Sequence, residues 1–203
     1  TAAALCYTSG TTGHPKGTLY THRSTVLHAM MVGLSLPAAL QPGKKILPVV
    51  PLFHVNAWGL PYAAPLTGAS LIFPGPALDG ESLFRLMDEE GVYSAWGVPT
   101  VWLGLQAEIA KQGRIPEGFG DMVVGGSAAP ASMIRDFEAR GVNVCHAWGM
   151  TEMSPVGTQG NLPTHLDHLS LDEKVAIKGK QGRRIFGVDL KIVDEDGVRL
   201  PHD

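Results

Sequence analysis

VYSAWGVPTVWLGLQAEIAKQGRIPEGFGDMVVGGSAAPASMIRDFEARGVNVCHAW, residues 92–148, holds three short apolar runs separated by two helix-length amphipathic segments. Val92–Trp96, Met122–Val124 and Val142–Cys145 read as strands. Pro99 stands at the first turn of a helix through Lys111, a position where its missing N–H leaves no bond unmade. A second helix begins near Pro130 and ends at Gly141. Strand–helix alternation of this kind uses the helix as a crossover and lays the strands parallel. The expected fold class is therefore α/β, a largely parallel sheet with flanking helices.

The pattern extends upstream. Asp79 caps a helix through Glu90, stopped by Gly91, while Leu71–Phe73 and Ile46–Val50 read as strands and PLFHVN as the loop after the latter. Thr21 N-caps a helix through about Leu36, ended by Pro37 and the turn at 41–45. Ala3–Tyr7 reads as a buried strand, followed by the glycine-rich turn Thr8–Gly17 and the short run Thr18–Tyr20. From Met153 to Gly182 the periodicity fades, and Ile185–Asp194 with Gly197 suggests one side of a late hairpin.

Composition narrows the function. Of 203 residues 44% are apolar and 17% charged, against a usual charged share of roughly 25%, which argues against disorder. A net charge of −3 offers no electrostatic footprint for nucleic acid or anionic lipid. Cys6 and Cys145 are too few and too distant for a disulfide framework or a CxxC metal site, and a reducing, cytoplasmic setting fits best. No apolar run reaches the ~18–20 residues of a membrane span; Val26–Leu40 is interrupted by His28, Gly33, Ser35 and Pro37. The first residues lack a basic signal region and read as a strand without neighbours, so the chain is expected to be cut from something longer. Surface exposed that way favours self-association into a homo-oligomer.

Three segments at strand ends carry chemistry. Thr8, Ser9, Gly10, Thr11, Thr12 and Gly13, with Lys16, form a turn whose hydroxyls, backbone N–H groups and mobile cation can hold an anion. The glycine spacing is not that of a Walker A loop, and a merely flexible turn is the bland reading. Gly149-Met150-Thr151-Glu152 sets a carboxylate beside a hydroxyl, which suits Mg²⁺ on nucleotide phosphates, although a solvated loop acid has the same sequence. Trp148 offers a flat face to a base, or belongs to the core. Gly125 to Pro130 permits close approach by a ligand, or simple strand–helix packing.

Taken together, TSGTTGHPKG, GGSAAP and WGMTE in this order resemble the adenylate-forming (AMP-binding) superfamily. VVPLFHVNAWGLPYAAPLTGA and GVPTVWLGL look most like the medium- and long-chain fatty acyl-CoA synthetases, whose large N-terminal domain this chain would partly supply. The resemblance implies that Thr8 to Gly13 and Lys16 hold the ATP phosphates, that Thr8 and Glu152 hold Mg²⁺, and that Thr151 contacts the α-phosphate. Trp148 would stack on adenine where most relatives have Tyr; His146 and Ala147 depart from the common residues, and Gly126 and Ser127 match the opposite face of the base. His54 matches a histidine near the reacting carboxylate, with Val55 and Trp58 at the entrance to the acyl tunnel. Trp102 and Met133 are read as core.

The implied reaction joins a fatty acid to ATP as an acyl-adenylate with loss of pyrophosphate, and then passes the acyl group to coenzyme A. His54, Lys16, Thr151 and Glu152 are the expected catalytic residues. The family's [ST]GD motif, a following Arg and the C-terminal domain with its adenylation Lys do not occur in these 203 residues, so residues 1–203 read as one truncated domain core, expected to be inactive alone. An aryl-acid or amino-acid adenylating parent is the alternative within the class. Asn56 is the only polar candidate besides His54 near the substrate, which favours an uncharged tail. A non-catalytic nucleotide-binding module is the alternative outside it.

Overall fold

A computed structural model of the chain describes residues 1–8 and 13–201. In chain order the elements are β1 (Ala2–Thr8), β2 (Lys16–Thr21), α1 (His22–Ser35), β3 (Lys45–Pro48), the short turn α2 (Val55–Trp58), α3 (Leu60–Thr67), β4 (Ser70–Leu71), α4 (Gly80–Glu90) and β5 (Ser94–Gly97). They continue as α5 (Pro99–Gln112), β6 (Asp121–Val124), α6 (Ala131–Ala139), β7 (Asn143–His146), β8 (Trp148–Gly149), β9 (Val156–Gln159), α7 (Leu171–Lys178) and β10 (Arg183–Arg184).

The central sheet is parallel in the order β4–β3–β5–β6–β7. Its side chains alternate between two cores, as a strand's period of two requires. Leu47, Ala95, Met122, Val124 and Val144 pack under Leu83 and Met87 of α4, Trp102, Leu105 and Ile109 of α5, and Met133 and Phe137 of α6. Ile46, Trp96, Val123 and Cys145 face the other way, against Ala29 and Val32 of α1 and Leu60, Ala63 and Ala64 of α3. Trp102 and Met133 are core residues, as expected.

Local chemistry sets the helix ends. Thr21 Oγ1 accepts from the Ser24 N–H at 3.0 Å while Ser24 Oγ accepts from the Thr21 N–H, a reciprocal box that starts α1. Asp79 caps α4 through the Ser82 N–H, and Gly91 ends it in the left-handed region with φ 63°. The late hairpin is present as an antiparallel bridge between Val193 and Arg199.

Several expectations are corrected. Ala3–Tyr7 is not a buried strand: among the described residues β1 pairs only with β2, antiparallel and outside the main sheet, leaving Leu5 and Tyr7 exposed. Only Cys6 of β1 and Tyr20 of β2 turn fully inward. The stretch from Met153 to Gly182, where the periodicity fades, supplies β9 and α7. A box between Ser170 and Glu173 caps α7. Helix α3 was not expected either, because LPYAAPLT is apolar on nearly every face and has no readable period.

Candidate active site

The loops that follow β3, β5, β6 and β7 leave the sheet at one end, the C-terminal edge of its strands, where open parallel sheets form their clefts. Backbone bonds hold them together: the Val49 N–H donates to the Trp96 carbonyl at 2.9 Å, Gly125 to Gly97 at 3.3 Å, and Ala147 to Val124 at 2.8 Å. Between them lies a cavity of about 210 Å³. Trp96 and Val123 contribute from the sheet; His54, Val55 and Trp58 line one wall; Gly125, Gly126 and Ala147 to Thr151 line another, with Leu36, Pro155 and Val156 closing the remainder.

Seven expected residues therefore share this cavity: His54, Val55, Trp58, Gly126, Ala147, Trp148 and Thr151. Ser127 follows Gly126 and is exposed, and Glu152 is the exposed residue after Thr151. Thr8 and Lys16 face each other across the β1–β2 hairpin, where Thr8 Oγ1 donates weakly to the Lys16 carbonyl at 3.5 Å. Gly13 is exposed beside them, while Ser9, Gly10, Thr11 and Thr12 lie outside the described residues. Sequence reading missed Trp96, Val123, Leu36 and Val156 as lining residues. The only signal for Trp96 was its place near the C-terminal end of a central strand.

The wall at His54 has an unusual backbone. Val55, Asn56, Ala57 and Trp58 all have φ between 47° and 57°, a left-handed turn without glycine that costs roughly 1–2 kcal/mol per residue. Such a turn persists only where its surroundings determine it. Val55, Ala57 and Trp58 are buried, and Gly59 follows at φ 80°, where a Cβ would lie 2.7 Å from the His28 ring. The indole of Trp58 lies along Gly125, where a Cβ would come within 3.1 Å of the ring. Gly125, the first residue of GGSAAP, thus makes room for this tryptophan. Trp148 stands over Gly157, where a Cβ would meet its ring at 2.9 Å, and keeps 37% of its surface exposed.

His146 is placed otherwise than its motif position suggests. It is buried, its Nε2 accepts from the Ala129 N–H at 3.3 Å, and its Nδ1–H donates to the Lys178 carbonyl at 3.2 Å. Both ring nitrogens are committed inside the protein, so the side chain braces the 125–129 loop from behind. His28 is also buried; its Nε2 accepts from the Val156 N–H at 3.1 Å, and burial drives its pKa down to about 4. Both histidines serve structure, whereas His54 is exposed at the mouth of the cavity.

Lys16 and Glu152 make no ion pair among the described residues, so each has its charge available to a ligand. Mg²⁺ is usually held by one or two carboxylates together with phosphate oxygens and water. One exposed carboxylate at a hydroxyl-rich turn fits that demand. No group of three His, Cys, Asp or Glu side chains suited to a metal occurs among the described residues.

The family model for AMP-binding enzymes matches residues 1–203. The chain belongs to the AMP-binding enzyme family. Across its whole length it is 56% identical to a medium-chain-fatty-acid–CoA ligase of Ectopseudomonas oleovorans and, over 205 aligned residues, 52% identical to a 3-methylmercaptopropionyl-CoA ligase of Ruegeria lacuscaerulensis. It spans 37% and 38% of the length of these two relatives. Among solved structures, the N-terminal domain of FACL13 from Mycobacterium tuberculosis, crystallised with an inhibitor, superposes with a TM-score of 0.81 at 26% identity. That match covers 98% of this chain and 47% of the other.

Proposed function

We propose that this chain is the nucleotide-motif core of an ATP-dependent fatty acid–CoA ligase, acting on medium- or long-chain acids in the cytoplasm. The observation that carries the proposal is one cavity with two kinds of wall. Val55, Trp58, Trp96 and Val123 make an apolar side suited to an alkyl chain, and the segments 125–126 and 147–151 make a side of small, hydroxylated and aromatic residues suited to an adenylate. Similarity to a medium-chain-fatty-acid–CoA ligase supports the choice of acid. Among the described residues, none of those lining the cavity is an Asp, Glu, Lys or Arg, which disfavours an amino acid as substrate.

In this reading a fatty carboxylate beside His54 attacks the α-phosphorus of ATP, the P–O bond to pyrophosphate breaks, and the acyl-adenylate remains in the cavity. The coenzyme A thiol then attacks the acyl carbon and expels AMP. The protein's task is to align anions and spread their charge. Lys16 and the hydroxyl-rich turn hold the outer phosphates, Thr151 contacts the α-phosphate, Gly126 and Ser127 border one face of adenine, and Trp148 stacks on the other. Mg²⁺, held by Glu152 and Thr8 with phosphate oxygens, would supply further positive charge there. The chain alone is expected to catalyse little. Its exposed Leu5, Tyr7 and Leu19 favour pairing between copies, which sedimentation at high concentration would reveal as concentration-dependent mass.

The test is calorimetric titration of the folded chain with non-hydrolysable acyl-adenylate analogues of increasing acyl length. Affinity that climbs with chain length is the expected result. Length-independent binding would remove the fatty acid from the proposal, and no binding by a folded chain would remove the nucleotide as well.

A further inference from the structure

The hairpin that carries Lys16 and the turn that carries Glu152 are joined by one buried hydroxyl. Tyr20 lies on β2 and is only 4% exposed. Its hydroxyl donates to the Thr151 carbonyl, 131 positions along the chain. Burial raises its ionisation far above the ordinary phenol range, helped by Cys6 and by the nearby Glu152 carboxylate, so it stays a donor. The far end of the same turn is held from α1, where His28 Nε2 takes the Val156 N–H. Between the two anchors the turn closes on itself: the Met150 N–H donates to the Pro155 carbonyl at 3.0 Å and the Ser154 N–H to the Thr151 carbonyl at 3.3 Å.

Glu152 is exposed and accepts no hydrogen bond from a described residue, so nothing but its own backbone fixes where its carboxylate stands. That backbone is tied to the phosphate hairpin through Tyr20. We infer that Tyr20 is a positioning residue that sets the Thr151–Glu152 turn against the Lys16 hairpin, so that the two charged groups meet one nucleotide in register. The inference rests on the reading of Glu152 as the Mg²⁺-bearing acid. Tyr20 is not among the residues that line the cavity, so its hydroxyl acts through the Thr151 carbonyl and not on a ligand. Its effect should therefore appear in the metal and ATP dependence and nowhere else.

The test is Tyr20→Phe in the whole ligase, which keeps the ring and removes the hydroxyl. The expected result is an increase of about fivefold in the Mg²⁺ concentration for half-maximal adenylation, in the KM for ATP, and in the Kd of the same protein for ATP with Mg²⁺ titrated calorimetrically without fatty acid, the size of one lost hydrogen bond. The KM for the fatty acid should stay unchanged. Glu152→Gln is measured beside it, and adding Tyr20→Phe to Glu152→Gln should raise the Mg²⁺ requirement no further. If Glu152→Gln shifts that requirement while a folded Tyr20→Phe does not, or if the two effects simply add, Tyr20 is a packing residue and the inference fails. If Glu152→Gln leaves the requirement where it was, the reading of Glu152 fails first and takes this inference with it.

Discussion

His28 and His146 differ from His54 only in what surrounds them, and that difference decides their chemistry. His54 stands exposed beside a cavity, whereas His28 is enclosed between Gly59 and Val156 and remains neutral. Its folded pKa of about 4 lies below the unfolded value of 6.5, so between these limits the unfolded chain binds a proton that the folded chain does not. Stability from this group is complete above about pH 6.5. It falls by up to about 3 kcal/mol as the pH drops toward 4. Urea unfolding of the chain and of His28→Gln across this range should show a stability gap that narrows with acid. A gap that does not change with pH would mean that His28 titrates normally.

At the level of elements, the left-handed turn Val55–Trp58 is the least self-sufficient piece of the molecule. Most of its stability comes from burying Val55, Ala57 and Trp58, because its backbone conformation opposes it. Asn56, only partly buried at φ 51°, is the one residue of the four whose type tolerates the left-handed region. Asn56→Val should destabilise the chain by about 1–2 kcal/mol, and Asn56→Gly should be neutral or stabilising. Thermal unfolding of the pair checks this, and equal melting temperatures would argue that the turn adopts another conformation in solution.

Across the whole molecule, a buried polar chain links helix α7 to the cavity. Lys178, 3% exposed, donates to Glu138 Oε1 at 2.5 Å and to Asn143 Oδ1 at 2.7 Å. Asn143 donates to Asp121 Oδ1 at 2.7 Å, Ser94 Oγ to Asp121 Oδ2 at 2.6 Å, and Trp96 Nε1 to Ser94 Oγ at 3.0 Å. Burial raises the Asp121 carboxyl pKa, and the Ser94 and Asn143 bonds oppose that shift. The last member of the chain, Trp96, lines the cavity. Lys178→Met keeps the volume but leaves Glu138 without its cation, and should cost about 3–5 kcal/mol in denaturant unfolding. A loss under about 1 kcal/mol would show that Glu138 is reached by water once Lys178 is gone.

Much of this was legible in the residues themselves. The alternation over 92–148, the caps at Thr21 and Asp79, and the three motifs at strand ends are local signals: period, capping chemistry and turn composition act within a few neighbours. They determined a parallel α/β sheet and located most of the cavity. Tertiary structure alone decided which way side chains point. It turned His146 inward and brought Trp96 to the cavity. It also paired β1 with β2 outside the main sheet, and held four residues in a left-handed turn. The bonds that decide such matters join Tyr20 to Thr151 and His28 to Val156, over 131 and 128 positions. No local pattern encodes a partner so far along the chain, because orientation is set by packing against whatever the fold brings alongside.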